Sequence, residues 1–349
     1  MSKRIALIPG DGIGVEVVRE AERVLATLVS ARRLPLDWTT FDWGAEKYLR
    51  EGVSLPEGAI AMLRRDFDAI LLGALGDPRV PSNQHARDIV LGIRFGLDLY
   101  ANERPAKLLD ARLCPLKAVT ETDVNFTILR ENTEGAYAGV GGNFKRDTPD
   151  EVAVQEDINT RKGVERILVY AFEYALRHGR KKVCMSDKAN ALPHAHGLWQ
   201  RTFAEVRRHY PQIDARHLYV DSLAMEIVRN PAQFEVIVTC NLFGDILSDL
   251  SAALLGGLGV APSANLNPGS VSMFEPVHGS APDIAGKNLA NPMAAILAAA
   301  MMLGELGFPE EAAHLEKVVA DAIHQGVTTP DLGGKGGTRE VADWICARL

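Results

Sequence analysis

Asp245 and Asp249 stand four residues apart in the run Asn241-Leu242-Phe243-Gly244-Asp245-Ile246-Leu247-Ser248-Asp249, which follows the apolar stretch 236–240. If that stretch is a buried strand and the run opens a helix, both carboxylates share one helix face. Like charges at this spacing repel, costing a lone helix about 0.2–0.5 kcal/mol. Two readings stand side by side: a solvated acidic face, and a seat for a hard divalent cation, which takes one or two carboxylates and leaves other positions to water or substrate. Three arginines fall at the ends of expected elements: Arg94, Arg104 before Pro105, and Arg130 closing the apolar stretch 124–130. Singly each reads as an ion-pair partner; together their planar forks suit a di- or tricarboxylate.

Two further residues could carry protons. Tyr137 follows the polar stretch Arg130-Glu131-Asn132-Thr133-Glu134-Gly135, and Lys188 stands just past a strand's C-terminal end, where open α/β sheets place their ligands. A phenol there can give a proton and a desolvated lysine can take one; packing and solvent exposure are the plainer readings. Asp221 opens a helix and reads as its N-cap. His194, His196, His209 and His217 show no zinc spacing. The polar, glycine-containing stretch 275–288 feeds a helix that begins at Asn291-Pro292, and helix starts and glycine loops suit a nucleotide's phosphates and ribose. Pro9-Gly10-Asp11-Gly12-Ile13-Gly14 is different: it lacks the GxGxxG spacing, and Asp11 would face a pyrophosphate. It reads as a tight glycine turn that starts a helix.

The elements that must position these groups follow a strand-then-helix rhythm. Buried strands are expected at 5–8 and 68–73, an alternating one at 36–42, and helices after 15, over 59–63 and over 88–97. From about Tyr100 the character changes, with a strand at 124–130, a glycine-rich loop at 139–146, an alternating stretch at 151–158 and an amphipathic helix over 164–176. Strands at 182–186, 215–220 and 235–240 follow, then a long Gly/Pro/Asn-rich connection and helices over 292–306, 309–324 and 339–349. This is an α/β chain. At 349 residues it should form two domains, and the lack of a low-complexity linker suggests that they share a continuous sheet.

A net charge of -7 argues against a nucleic-acid partner. The apolar start is too short for a signal segment and the run 293–303 too short to span a bilayer, so no membrane role is expected. Four widely spaced cysteines without a CxxC pair suit a reducing, cytoplasmic location.

Pro9 to Gly14, Ser186 to Asn190, the run 241–249 and the segment 275–291, in this order over the full length, resemble the β-decarboxylating dehydrogenases of 2-hydroxy acids. That family acts on isopropylmalate, isocitrate, homoisocitrate and tartrate or D-malate. The resemblance implies a two-domain isocitrate/isopropylmalate dehydrogenase-like fold, not a Rossmann fold, with residues 1–99 plus 256–349 as the larger, cofactor-binding domain. Residues 100–255 would form the smaller domain, carrying the metal site and the dimer interface. It further implies that Arg94, Arg104 and Arg130 grip the malate carboxylates. Asp245 and Asp249, with Asp221 from a second subunit of a homodimer, would hold Mg²⁺ or Mn²⁺ and meet the substrate. Lys188, also crossing the interface, would assist loss of the hydroxyl proton, and Tyr137 would reprotonate the enol. His278, Gly279, Ser280, Ala281, Asp283 and Asn291 would line the nucleotide. Asp283 can accept from a ribose diol but would repel a 2′-phosphate, which favours NAD over NADP. Arg87, Val90 and Leu91 should meet the C3 substituent of the substrate. Val90 and Leu91 could receive an isopropyl group, whereas Arg87, with His85 near, could attract a further carboxylate. The leading expectation is oxidation of 3-isopropylmalate to 2-oxoisocaproate in leucine biosynthesis, with homoisocitrate or tartrate/D-malate as alternatives. A non-catalytic regulatory subunit on the same fold is the rival from another class.

Overall fold

The computed structural model of the chain describes residues 2–349. In chain order its strands are β1 (Lys3–Ile8), β2 (Leu36–Thr40), β3 (Ala69–Leu72), β4 (Ala101–Lys107), β5 (Asn125–Glu131), β6 (Gly141–Phe144), β7 (Val152–Gln155), β8 (Lys182–Asp187), β9 (Asp214–Tyr219), β10 (Val236–Thr239), β11 (Pro262–Leu266) and β12 (Ser272–Pro276). The chain divides into two compact units. The first comprises Met1–Leu99, Lys107–Glu121 and Ala252–Leu349, and the second Tyr100–Ala106 and Thr122–Ser251.

In the first unit the strand order is β2-β1-β3-β12-β11. β1 runs parallel to β2 and β3, and β3 parallel to β12, while β11 pairs antiparallel with β12. Ile5 to Ile8 and all of β3 are buried, as continuous apolar runs covered on both faces must be. Helix Met293–Glu305 buries ten of its residues, so the longest apolar run of the chain is a core helix. No described helix is long and apolar enough to cross a membrane.

The second unit has the order β4-β5-β10-β8-β9, with β10 parallel to β5 and β8, and β8 parallel to β9. The register aligns Thr239 with Arg130 and with Ser186. Three parallel strands therefore end side by side, and the segments leaving them carry Tyr137, Lys188 and helix Asn241–Leu254. A separate antiparallel hairpin of β6 and β7 leaves all its residues exposed, with Phe144 at 66%.

The structure contains strands that the sequence pattern hides. β11 and β12 occupy what reads as a polar connection, because Ser263, Asn265 and Ser272 are buried there and break the apolar signature of a strand. β4 interleaves buried Asn102 and Arg104 with Pro105, and β6 lies inside the glycine-rich stretch.

Candidate active site

Helix Asn241–Leu254 starts two residues after β10 and faces the end of β5. Gly244 permits this approach, since a Cβ there would lie 2.5 Å from Arg130 Cβ and Cγ. Arg130, only 1% exposed, donates from Nε and Nη2 to Asn241 Oδ1 at 2.9 and 2.7 Å, and from Nη1 to Asp245 Oδ1 at 2.5 Å. Arg104 donates from Nε to Asn102 Oδ1 at 2.7 Å and from Nη1 to Ser248 Oγ at 2.6 Å. The same Nη1 lies 3.3 Å from Asp245 Oδ1 and 3.9 Å from Asp249 Oδ1. Tyr137 O–H donates to Asp245 Oδ2 at 2.7 Å, and the Arg130 guanidinium sits 5.1 Å from the phenol ring centroid. Arg104, Arg130, Tyr137, Asp245 and Asp249 thus converge on one helix face.

Electrostatics follow from this packing. Burial, and then the hydrogen bond to Asp245, push the Tyr137 phenol above its ordinary value, so it stays protonated at neutral pH. Partial burial also raises Asp249; the nearby Arg104 opposes this and Asp245 adds to it, although 60% of the Asp249 side chain is exposed. The Tyr137 turn is held from beneath by Glu131, whose buried carboxylate accepts from Thr133 N–H, Thr133 Oγ1 and Glu134 N–H.

Lys188 and Asp221 form a second pair in the same unit, with Nζ donating to Asp221 Oδ1 at 2.5 Å. Asp221 lies in the first turn of helix Val220–Arg229 and is not its cap; its side chain is 64% exposed and its carboxyl is lowered by the lysine. Among the described residues no group of three or more His, Cys, Asp or Glu side chains comes together to hold a metal. The chain by itself offers two hard carboxylates on one face, Asp245 and Asp249, which suit Mg²⁺ or Mn²⁺ with a further ligand from elsewhere.

In the first unit, helix Gln84–Gly96 carries Arg87, Val90, Leu91 and Arg94 within about 100° of one another at 3.6 residues per turn. Ile89 and Ile93 point the other way into the core, on which Val90 also packs. Arg87 is exposed and has no hydrogen-bond or ion-pair partner among the described residues. Buried Arg94 donates from Nη2 to Glu275 Oε1 at 2.9 Å, and its buried Nε has no hydrogen-bond partner.

The segment 275–291, expected to meet a nucleotide, lies in this unit too. The Ser280 carbonyl accepts the Ile13 N–H at 2.8 Å, and a Cβ on Gly12, whose φ is 53°, would strike that carbonyl oxygen at 2.1 Å. The amino end of helix Ile13–Arg32 is therefore used by the chain itself. Asp11, 5% exposed, accepts Ala45 N–H, Gly76 N–H and the His85 ring, so it braces the glycine turn. His278 keeps a buried Nε2 without a partner, and burial lowers its pKa. Gly279 and Asp283 are exposed, and Ala281 holds a φ of 37°. Asn291 accepts Met293 N–H at the start of its helix and donates to Asp331 Oδ2, each at 3.0 Å. The orphaned His278 ring nitrogen and the exposed Asp283 carboxylate are groups that an adenosine nucleotide could engage.

A helix bearing paired aspartates, met by two buried arginines and a protonated phenol on an α/β scaffold, defines a class. Residues 4–345 match the isocitrate/isopropylmalate dehydrogenase family, and the chain belongs to it, with the expected fold. It is a decarboxylating dehydrogenase by membership, of a family whose substrates are small carboxylic acids. Among its relatives, a 3-isopropylmalate dehydrogenase of Thermobifida fusca (strain YX) is 44% identical over 348 residues, covering 99% of this chain and 97% of that protein. A probable tartrate dehydrogenase/decarboxylase of Bacillus subtilis (strain 168) is 43% identical over 349 residues, with 99% and 97% covered. The crystal structure of isocitrate dehydrogenase from Methylococcus capsulatus superposes with a TM-score of 0.89 at 40% identity, covering 99% of each chain.

Sequence reasoning named both aspartates but not the residues that orient the arginines. Asn102, Asn241 and Ser248 do this, and Glu275 serves Arg94. Asn241 and Ser248 lie inside the run 241–249, seven residues and thus two turns apart, and that spacing is the signal that points to them.

Proposed function

We propose that the chain oxidatively decarboxylates 3-isopropylmalate to 2-oxoisocaproate, with NAD and Mg²⁺ or Mn²⁺, in leucine biosynthesis. The observation that carries this reading is the convergence of Arg104, Arg130 and Tyr137 on Asp245 beside Asp249. Arg94, Arg104 and Arg130 bind and orient the carboxylates of the acid. Lys188 of a second copy takes up the hydroxyl proton, and Tyr137, protonated at neutral pH, delivers a proton to C3 after CO₂ leaves. Asp245 and Asp249, with Asp221 of the second copy, would hold the cation. A bound nicotinamide would supply the acceptor for the C2 hydride, and a bound cation would supply Lewis-acid polarisation of the C2 oxygen. His278, Gly279, Ser280, Ala281, Asp283 and Asn291 line the nucleotide, and the exposed Asp283 supports NAD over NADP.

In this reading the first unit binds the cofactor, and the second carries the metal site and the dimer surface. A homodimer is supported by apolar side chains left bare in the second unit: Met225 and Val228 one turn apart on one helix, Leu242 and Ile246 on another. The four free cysteines support a cytoplasmic location; burial pushes the thiols of Cys184 and Cys240 up to about 11 and about 12.

The unpaired Arg87, on the face shared by Leu91 and Arg94, favours a second reading in which the C3 substituent carries a carboxylate, as in homoisocitrate. A panel of 3-isopropylmalate, homoisocitrate, isocitrate, tartrate and D-malate, each with NAD and NADP, tests both. Highest kcat/KM on 3-isopropylmalate with NAD is expected, and neither NADH nor NADPH from any of these acids refutes the dehydrogenase assignment. Arg87→Glu should change the ratio between the first two acids; an unchanged ratio removes Arg87 from the specificity face.

A further inference from the structure

His196 belongs to none of the groups assigned above, yet it is 1% exposed and lies directly behind Lys188. β8 ends at Asp187, so the Lys188 N–H lies past the ladder and needs another acceptor. That acceptor is His196 Nδ1, at 2.7 Å. The Lys188 carbonyl is held as well, accepting Ala191 N–H at 2.9 Å and Leu192 N–H at 2.8 Å. A peptide N–H only donates, so Nδ1 carries the lone pair and the ring proton resides on Nε2. Nε2 lies 3.4 Å from Asp157 Oδ2, which fixes this tautomer from the far side.

The ring has little freedom. Phe243 packs against it edge to face, with centroids 5.2 Å apart. One turn along the same helix, Trp199 Nε1 donates to Asn159 Oδ1 at 2.8 Å, so residues 157–159 are stitched to helix Ala195–Val206 at two points. The same segment is bonded to the turn that precedes Tyr137, through Gly135 N–H and the Ile158 carbonyl at 2.6 Å.

We propose that His196, locked by Asp157, is a positioning residue that sets the backbone of Lys188 and so aims its amine at the substrate hydroxyl. This rests on the reading of Lys188 as the proton acceptor. The imidazole suits the task because it is a neutral acceptor that can be enclosed without the cost of burying a charge, and because its second nitrogen ties it to a fixed point. Misplacement of a reacting group by about 1 Å can cost about 10²-fold in rate.

The test uses the full-length enzyme and the acid it turns over best. Asparagine presents its side-chain oxygen where Nδ1 stands, whereas glutamine reaches toward Asp157 and leaves the Lys188 N–H without an acceptor. His196→Gln should lower kcat about 10- to 100-fold with KM little changed, and His196→Asn should restore most of it. In a Lys188→Gln background, His196→Gln should add no further loss, because both changes act through one group. Equal losses in the Gln and Asn variants, or an additive loss in the double variant, would overturn the proposal. Full activity of Lys188→Gln would instead sink the reading of Lys188 as base. An inactive Lys188→Gln beside a fully active His196→Gln would overturn the positioning role alone.

Discussion

Replacing Gly244 by alanine sets two well-measured tendencies against each other. In a helix interior alanine is favoured over glycine by about 0.8–1.0 kcal/mol, so an isolated helix would gain. Here the added methyl would sit 2.5 Å from Arg130 Cβ and Cγ, about 0.9 Å short of the 3.4 Å at which ordinary contact begins. The atoms struck are the near end of a side chain that is 1% exposed and bonded at all three guanidinium nitrogens, so it cannot swing aside. Over-packing of this kind costs about 1–3 kcal/mol, which outweighs the helical gain and leaves a net loss of up to about 2 kcal/mol. Relief requires the helix and β5 to part, carrying Arg130 away from Asp245. On the estimate that 1 Å costs about 10²-fold, kcat/KM should fall by one to two orders of magnitude. Urea unfolding at fixed protein concentration and NADH production on the same preparation measure both effects. A variant about 1 kcal/mol more stable than its parent, with unchanged kcat/KM, would refute the reasoning.

Further expectations follow from other contacts. Asp245→Asn should abolish decarboxylation while gel filtration shows an unaltered oligomer, and a fully active variant would remove Asp245 from the metal site. Gly12→Ala places a Cβ 2.1 Å from the Ser280 carbonyl at a φ of 53°; the KM for NAD should rise tenfold or more, equivalent to about 1.4 kcal/mol, and an unchanged value would separate the turn from the nucleotide segment. The His196 hydrogen bond, against opposing burial, holds the Asp157 carboxyl below its ordinary 3.8. A lowered folded-state value stabilises at neutral pH and loses that contribution as pH falls from about 3.8 through the folded value. Asp157→Asn should therefore show a shallower loss of urea stability than its parent on acidification below about pH 4, and parallel curves would show that the contact contributes nothing.

Asp245 and Asp249 were legible as a pair because β10 is a fully buried apolar run and the helix after it has a clear period. The four residues Arg87, Val90, Leu91 and Arg94 share a face for the same reason. Periodicity reports which side of an element is apolar, and that suffices for elements with one dry face. It fails for β11 and β12, where Ser263, Asn265 and Ser272 are buried with polar partners inside the sheet and look like loop residues in a string of letters. It fails again for His196, whose work is done on a backbone N–H; a main-chain partner leaves no mark on the sequence that encodes it. Asp221 reads as a cap from its position and turns out to spend its carboxylate on Lys188 instead, a contact between residues 33 apart.

The guanidinium groups around Asp245 have one more consequence. Arg104 and Arg130 already pair with the helix carboxylate in the chain alone, so part of the repulsion between Asp245 and Asp249 is offset before any cation arrives. If the same two arginines then take the carboxylates of an entering acid, Asp245 is released at the moment a metal ion can replace them. Cation and acid would then enter by exchange, each lowering the other's dissociation constant by the same factor, as reciprocity between two coupled ligands requires.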